Sequence, residues 1–363
     1  MIKFVVGEAT DPGLDPNKRV NEDSCLHVDT PLGPLFIVCD GMGGHAGGKQ
    51  ASEIAVNTIA EHFKTLDANS EPRASLKTAV EQSAHKVYDF GGTKEQSHRP
   101  GSTCVAMLLH KERALIAHVG DSRCYGIRGK QIYQLTRDHS VVQQMLDNGL
   151  ISRQQAVGHP DANKITRALG MTRDVQVELR EEPVDLFTDD LLVLCTDGLT
   201  DMARETDIMV TVNQHADSSN MQGASDDLVA LANRRGGCDN ITVQVVKILS
   251  AGDRGRLATL AQAPAITPMH AGAPISTTID GPPPSSTMPS KVGVSPTIAE
   301  APAEAPAEAP APPPPPAAIT GAPVQLPSVP PPQSPSASAP LPAMSAHKRP
   351  PPQPTPSTDR ASA

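Results

Sequence analysis

Residues 191–201 read LLVLCTDGLTD, and residues 35–44 read LFIVCDGMGG. In both, an apolar run (Leu191 to Cys195, Leu35 to Cys39) leads into Asp-Gly. A short apolar run bounded by a turn signal reads as a buried strand. Asp40 and Asp197 are then held at sheet ends, and the glycine that follows leaves room for close backbone approach. Two more aspartates sit in comparable places, Asp23 in RVNEDS (19–24) and Asp239 in GGCDNITV (236–243). Carboxylates gathered in this way repel one another and are costly to bury alone. They imply a hard divalent cation or a shared proton, and the reading taken here is a metal centre.

The 363-residue chain changes character near residue 250. All of its aromatic residues (five Phe, three Tyr) and all six cysteines lie before that point. Of 37 prolines, 8 lie in residues 1–250 and the other 29 beyond. Basic and acidic residues balance in the tail, so the formal charge of −9 belongs to the first part. The expected division is one domain over 1–250, long enough to bury a substantial core, followed by a disordered Pro/Ala/Ser-rich tail over 251–363. PAEAPAEAPAPPPPP at the tail's centre favours extended polyproline stretches. The tail reads as a spacer, or as a segment that docks proline-binding modules or accepts phosphate.

An acidic domain argues against non-specific nucleic-acid binding, which needs basic clusters to displace counterions. No run approaches the roughly 20 apolar residues of a membrane span, and MIKFVVGEATDPG lacks the pattern of a signal peptide. Cys39, Cys104 and Cys195 fall inside apolar runs and no CxxC occurs, which predicts buried free thiols in a reducing, cytoplasmic setting.

Strands are expected at 2–7, 24–29, 35–39, in three or four segments from 101 to 136, at 175–179, 191–195 and 241–248. Helices are expected at about 49–63, 73–88 and 141–148, with one or two more between 204 and 234. Runs of strands with helices grouped between them indicate α+β layers, not a βαβ alternation.

A lone Asp-Gly is usually an ordinary turn. Six motifs in one order change that: RVNEDS, DGMGGHAGG, GSTC, HVGDSR, CTDGLTD and GGCDNITV. Over residues 10–246 the chain resembles the metal-dependent protein phosphatase family (the PP2C or PPM type) in its bacterial form. The resemblance implies a four-layer α-β-β-α sandwich with two antiparallel sheets. It also implies two Mn²⁺ or Mg²⁺ ions bridged by Asp40, with the Gly41 carbonyl on the second ion and Asp23 near it through water. Asp197 and Asp239 would hold the first ion, and Asp121 would help hold a weaker third. The implied reaction is hydrolysis of phosphoserine or phosphothreonine by a water that bridges the ions. The implied partners are phosphoproteins, serine/threonine kinases and their substrates among them.

The residues agree with that chemistry. All-oxygen ligands select hard cations, and a water shared by two such ions loses its proton near neutral pH. No cysteine is followed six residues later by Arg, as a thiol-based phosphatase would require, and no GxxxxGK[ST] P-loop occurs. Two departures from the family pattern stand out. The Arg that usually grips the substrate phosphate is replaced by Lys18, with Arg19 beside it, and lysine offers charge without a bidentate fork. Met42 stands where eukaryotic members carry a general-acid His. The leaving group would take its proton from metal-bound water or from His45. His118 reads as a core or supporting group, and His139 and His159 as solvated loop histidines. Ser102 reads as structural, and Asn240 as orienting the Asp239 loop. The alternatives are a binding module of the same fold without catalysis, and a hydrolase of small phosphate esters.

Overall fold

The computed structural model describes residues 2–43, 46–93 and 99–251. His45 and the tail from 252 onward lie outside the described residues. Two antiparallel sheets carry the fold. The first consists of β1 (Lys3–Asp11), β13 (Ile241–Ser250), β12 (Leu191–Cys195), β8 (Arg123–Arg128) and β9 (Gln131–Gln134), in that spatial order. The second runs β10 (Glu178–Leu179), β7 (Arg113–Val119), β6 (Cys104–His110), β3 (Gly33–Cys39) and β2 (Ser24–Thr30), with β11 (Val184–Asp185) also on β7. A small ladder pairs β4 (Gly41–Met42) with β5 (Gly101–Ser102).

The two apolar runs show how the layers form. Successive strand residues point to opposite faces. In β12, Leu192 and Leu194 face the other sheet, where they meet Phe36, Val38, Val105, Met107 and Ile116. Leu191, Val193 and Cys195 face outward, under helices α6 (Glu205–Ala216) and α7 (Met221–Arg234). In β3 the same alternation sends Phe36 and Val38 inward. Leu35, Ile37 and Cys39 pack under α1 (Ala46–Lys64) and α2 (Pro72–Phe90). Both faces of both sheets are covered, so these strands are apolar throughout. The result is the expected α-β-β-α sandwich.

The helix signals hold closely. Ala51, Ala55, Ile59 and Phe63 form the fully buried stripe of α1. Pro72 opens α2, and the Glu71 side chain accepts from Ala74 N–H at 2.5 Å. Three expectations needed revision. Residues 175–177 are not strand, and pairing begins at Glu178. Asp197 does not sit in a plain turn but opens a short helix, α5 (Asp197–Thr200). The segment from α3 (Val141–Asp147) to residue 172 adds a four-residue helix, α4 (Arg153–Ala156), and crosses to the end of the sandwich where Asp40 and Asp197 lie. All six cysteines are free, and Cys39, Cys104, Cys124 and Cys195 are buried. No helix among the described residues is long and apolar enough to cross a membrane.

Candidate metal centre

One cleft at this end of the sandwich is lined by Asp40, Gly41, Asp121, Asp197 and Asp239, with Lys18, Glu22 and Asn163 also in its wall. Asp40 leaves β3 and is fixed by its backbone. Its N–H donates to Thr103 Oγ1 (2.9 Å), and its carbonyl accepts from Thr103 N–H (2.8 Å) and Ser102 O–H (2.9 Å). That is the structural task of the Gly-Ser-Thr motif. No side-chain hydrogen bond among the described residues engages the Asp40 carboxylate, so both of its oxygens stay available.

The glycines after Asp40 and Asp197 serve close approach, as their motif suggests. A Cβ on Gly198 would meet Asn240 O at 2.0 Å, and one on Gly41 would meet Gly48 O at 2.2 Å and Glu22 O at 2.5 Å. The Asp197 and Asp239 loops therefore touch through backbone. Asn240 completes the arrangement, donating to Pro12 O (2.9 Å) and accepting from Glu22 N–H (2.8 Å). It ties the Asp239 loop to the N-terminal loop, as expected of it.

Burial, then the charges of Asp197, Asp23, Asp121 and Asp239, push the Asp40 carboxyl well above the usual carboxylate range. Burial does the same to Asp197, followed by Asp121, Asp201, Asp239 and Asp23. Asp121 is raised to about 6 by burial and by Asp138, against the pull of Arg123. The buried Asp197 Oδ1 has no hydrogen-bond partner. A set of mutually repelling oxygen donors, one of them orphaned, is what a hard divalent cation satisfies. The donor set fits Mg²⁺ or Mn²⁺.

The placement of Asp23 differs from the sequence reading, and the Lys18/Arg19 choice that the sequence left open is narrowed. Asp23 does not line the cleft. It is buried behind it, accepting from Thr196 O–H at 2.9 Å, and burial raises it to about 7 against the Thr242 and Thr196 hydrogen bonds. Its neighbour Glu22 faces the cleft instead, with its carboxylate against Gly48 of α1. Between Lys18 and Arg19 the geometry separates the roles. Lys18 lines the cleft and pairs with Asp239, whereas Arg19 is exposed and outside the lining. Burial alone would lower the Lys18 pKa, but the hydrogen bond and charge of Asp239, then Asp197 and Asp40, outweigh it and raise it.

His139 is not a solvated loop residue but is 5% exposed. Its Nδ1 accepts from Gly120 N–H (3.1 Å), which leaves Nε2–H to donate to Glu178 Oε2 (2.9 Å). His118 stacks on it with ring centroids 4.8 Å apart. His118 Nε2 lies 2.7 Å from Arg137 O, and its Nδ1 is buried without a partner. Ligand atoms of His118, His139 and Glu178 lie within 4.8 Å of one another. The Arg167 guanidinium already occupies that place, 3.2 Å from His139 Nε2 and 3.8 Å from Glu178 Oε2, so the group is a staple and not a second metal site. It fixes Gly120, hence Asp121, to the crossing segment. The sequence reading of His118 as a core or supporting group holds, whereas nothing in the sequence tied His139 to it. His159 keeps its bland role, its Nδ1 accepting from Asp161 N–H (3.1 Å).

Residues 16–232 match the family model of protein phosphatase 2C. The chain is 36% identical over 217 residues to the serine/threonine phosphatase Stp of Listeria welshimeri, which covers 59% of this chain and 84% of that protein. The structure of the S. agalactiae serine/threonine phosphatase superposes with a TM-score of 0.62 at 32% identity, over 68% of this chain and all of that one. The catalytic domain of the phosphatase PstP, solved in complex with two manganese ions, superposes with a TM-score of 0.58 at 27% identity, over 69% and 100% of the two chains. With the motifs, the two-sheet sandwich and the aspartate cleft already in place, the chain belongs to the protein phosphatase 2C family of serine/threonine phosphatases.

Proposed function

We propose that this chain hydrolyses phosphoserine and phosphothreonine in protein substrates, opposing serine/threonine kinases, with Mn²⁺ or Mg²⁺ held at the aspartate cleft. The observation that carries the reading is the convergence of Asp40, Asp121, Asp197 and Asp239 on one cleft, with burial and mutual repulsion raising the first three and Asp197 Oδ1 orphaned. Asp40, with its backbone clamped and its carboxylate unengaged, would be the central ligand. Asp197 and Asp239, joined through the Gly198–Asn240 contact, would help hold the cations, as would the Gly41 carbonyl. Asp121, steadied by His139 through Gly120, would contribute to a weaker additional position. Glu22 takes the cleft-facing role first given to Asp23, which supports Thr196 from behind.

Bound divalent cations would supply Lewis-acid stabilisation of the phosphoryl oxygens and lower the pKa of the attacking water. The chain's own part is to hold the acceptor oxygens rigid and to present the Lys18 ammonium at the rim of the cleft. Lys18 is the cation placed to hold a substrate phosphate, without the bidentate geometry an arginine would give. We assign this activity to residues 1–250, with 251–363 as an appended segment.

The test is phosphate release from a phosphothreonine peptide with Mn²⁺, with Mg²⁺ and with chelator, for wild type and Asp239→Ala. We expect metal-dependent release that falls by at least a hundredfold in the variant. Metal-independent release, or an undiminished Asp239→Ala, overturns the mechanism.

A further inference from the structure

Asn163 is the one cleft-lining residue with an uncharged side chain that both donates and accepts while engaging nothing else described. It lines the cleft together with Ile165 and Lys18. No described hydrogen bond uses its carboxamide, and it is exposed, whereas Asp40 and Asp197 are half-buried and Asp121 is buried. Its position is nevertheless fixed. Val141 N–H donates to Lys164 O (2.9 Å), Thr166 N–H to His139 O (2.6 Å), and Leu169 and Ser102 exchange two backbone bonds (2.8 and 3.1 Å). Residues 163–169 form a strap stitched at one end to His139 and Val141, and at the other to the motif that clamps Asp40.

The chemistry of the rim then distinguishes two parts of a substrate. A phosphate offers only acceptors and negative charge, which suits Lys18 and bound cations. A peptide group offers one donor and one acceptor, which a carboxamide can meet with both of its own. Asn163 and Ile165 are two residues apart and share the cleft, while Lys164 between them turns out to pair with Asp161 (2.6 Å). The turn ending at Asn163 and the bridge residue Ile165 thus give the cleft wall one polar and one apolar side chain.

Resting on the phosphatase reading above, we infer that Asn163 is a specificity-determining residue. It hydrogen-bonds the main chain of a phosphopeptide next to the phosphorylated residue, favouring protein substrates over small phosphate esters.

The experiment compares wild type, Asn163→Ala and Lys164→Ala at saturating Mn²⁺. The substrates are p-nitrophenyl phosphate, a phosphothreonine peptide, and the same peptide N-methylated at the residues flanking phosphothreonine. Asn163→Ala should raise the KM for the peptide roughly tenfold, the loss of one to two hydrogen bonds. Its kcat and KM for p-nitrophenyl phosphate should stay within about twofold, the scatter of a surface substitution. N-methylation should raise the wild-type KM and add little to that of Asn163→Ala, since both remove the same contact. Lys164→Ala should behave as wild type, and matched melting temperatures confirm that the folds are intact. Equal losses on both esters, an unchanged peptide KM, or additive effects of N-methylation and Asn163→Ala each overturn this inference while leaving the phosphatase reading standing. A wild type that turns over neither ester overturns both.

Discussion

Strand β12 carries a buried carboxylate at each end, and the two are satisfied in opposite ways. Asp190, just before Leu191, is 1% exposed and meets Arg128 in a two-pronged pair, Nε to Oδ1 at 2.8 Å and NH2 to Oδ2 at 2.7 Å. Phe187 N–H adds a third bond (2.8 Å), and the guanidinium lies over the Phe187 ring at 4.5 Å. Asp197, just after Cys195 and Thr196, is half-buried as a residue, yet its Oδ1 is fully buried and orphaned, with carboxylates for neighbours. The protein supplies the counter-charge from its own chain at one end; on the function proposed above, an external cation would supply it at the other. A buried charge with its partner built in is structure. A cluster of carboxylates with an orphaned oxygen on a cleft is open to a cation from outside.

The sharpest way to break that contrast is the same substitution at both ends. Asp197→Asn should abolish metal-dependent peptide turnover while leaving the chelator-treated protein as stable as wild type or a few degrees more so, because it relieves repulsion. Asp190→Asn should leave Arg128 buried and poorly paired, at a cost of about 3–5 kcal/mol in denaturant unfolding, with peptide turnover kept at temperatures where the variant is folded. If both variants destabilise the metal-free protein alike, the two ends are not different in kind.

A smaller effect belongs to His118. Burial, then the neighbouring His139, lowers its pKa from 6.5 to about 4. The unfolded chain therefore binds a proton that the folded chain refuses. This group's contribution is fully present above pH 6.5 and is lost as pH falls toward 4, by up to about 3 kcal/mol. The stability difference between pH 7 and pH 4.5 should shrink in His118→Asn, measured by urea unfolding. An unchanged difference would show that His118 carries no such penalty. The smallest effect expected is from ending the chain after Ala251, which is buried against the inter-sheet core. Melting temperature and peptide turnover should match the full chain. A collapse of either would return residues 252–363 to the domain.

The layers were legible because strand alternation is written in consecutive residues: Leu35 to Cys39 and Leu191 to Cys195 assign their own faces. Asp40 and Asp197 were legible for a related reason, since an apolar run ending in Asp-Gly places a carboxylate at a sheet end. Which of Glu22 and Asp23 faces the cleft was not legible. Adjacent residues point to opposite sides, and the choice depends on how the loop before β2 meets Asn240, more than 200 residues later. The His139 staple was missed because its partners Gly120, just after β7, and Glu178, in β10, lie far from it in sequence. Asn163 was missed because an asparagine in a polar loop has no period to betray it.

The Gly198–Asn240 approach has one more consequence. With no side chain between the two loops there is no slack between Asp197 and Asp239, and each loop continues directly into a core strand, β12 or β13. Those strands are neighbours, so the two carboxylates are mounted on a single stiff bracket. A push on one carboxylate reaches the other through main chain alone, without any rotamer having to change.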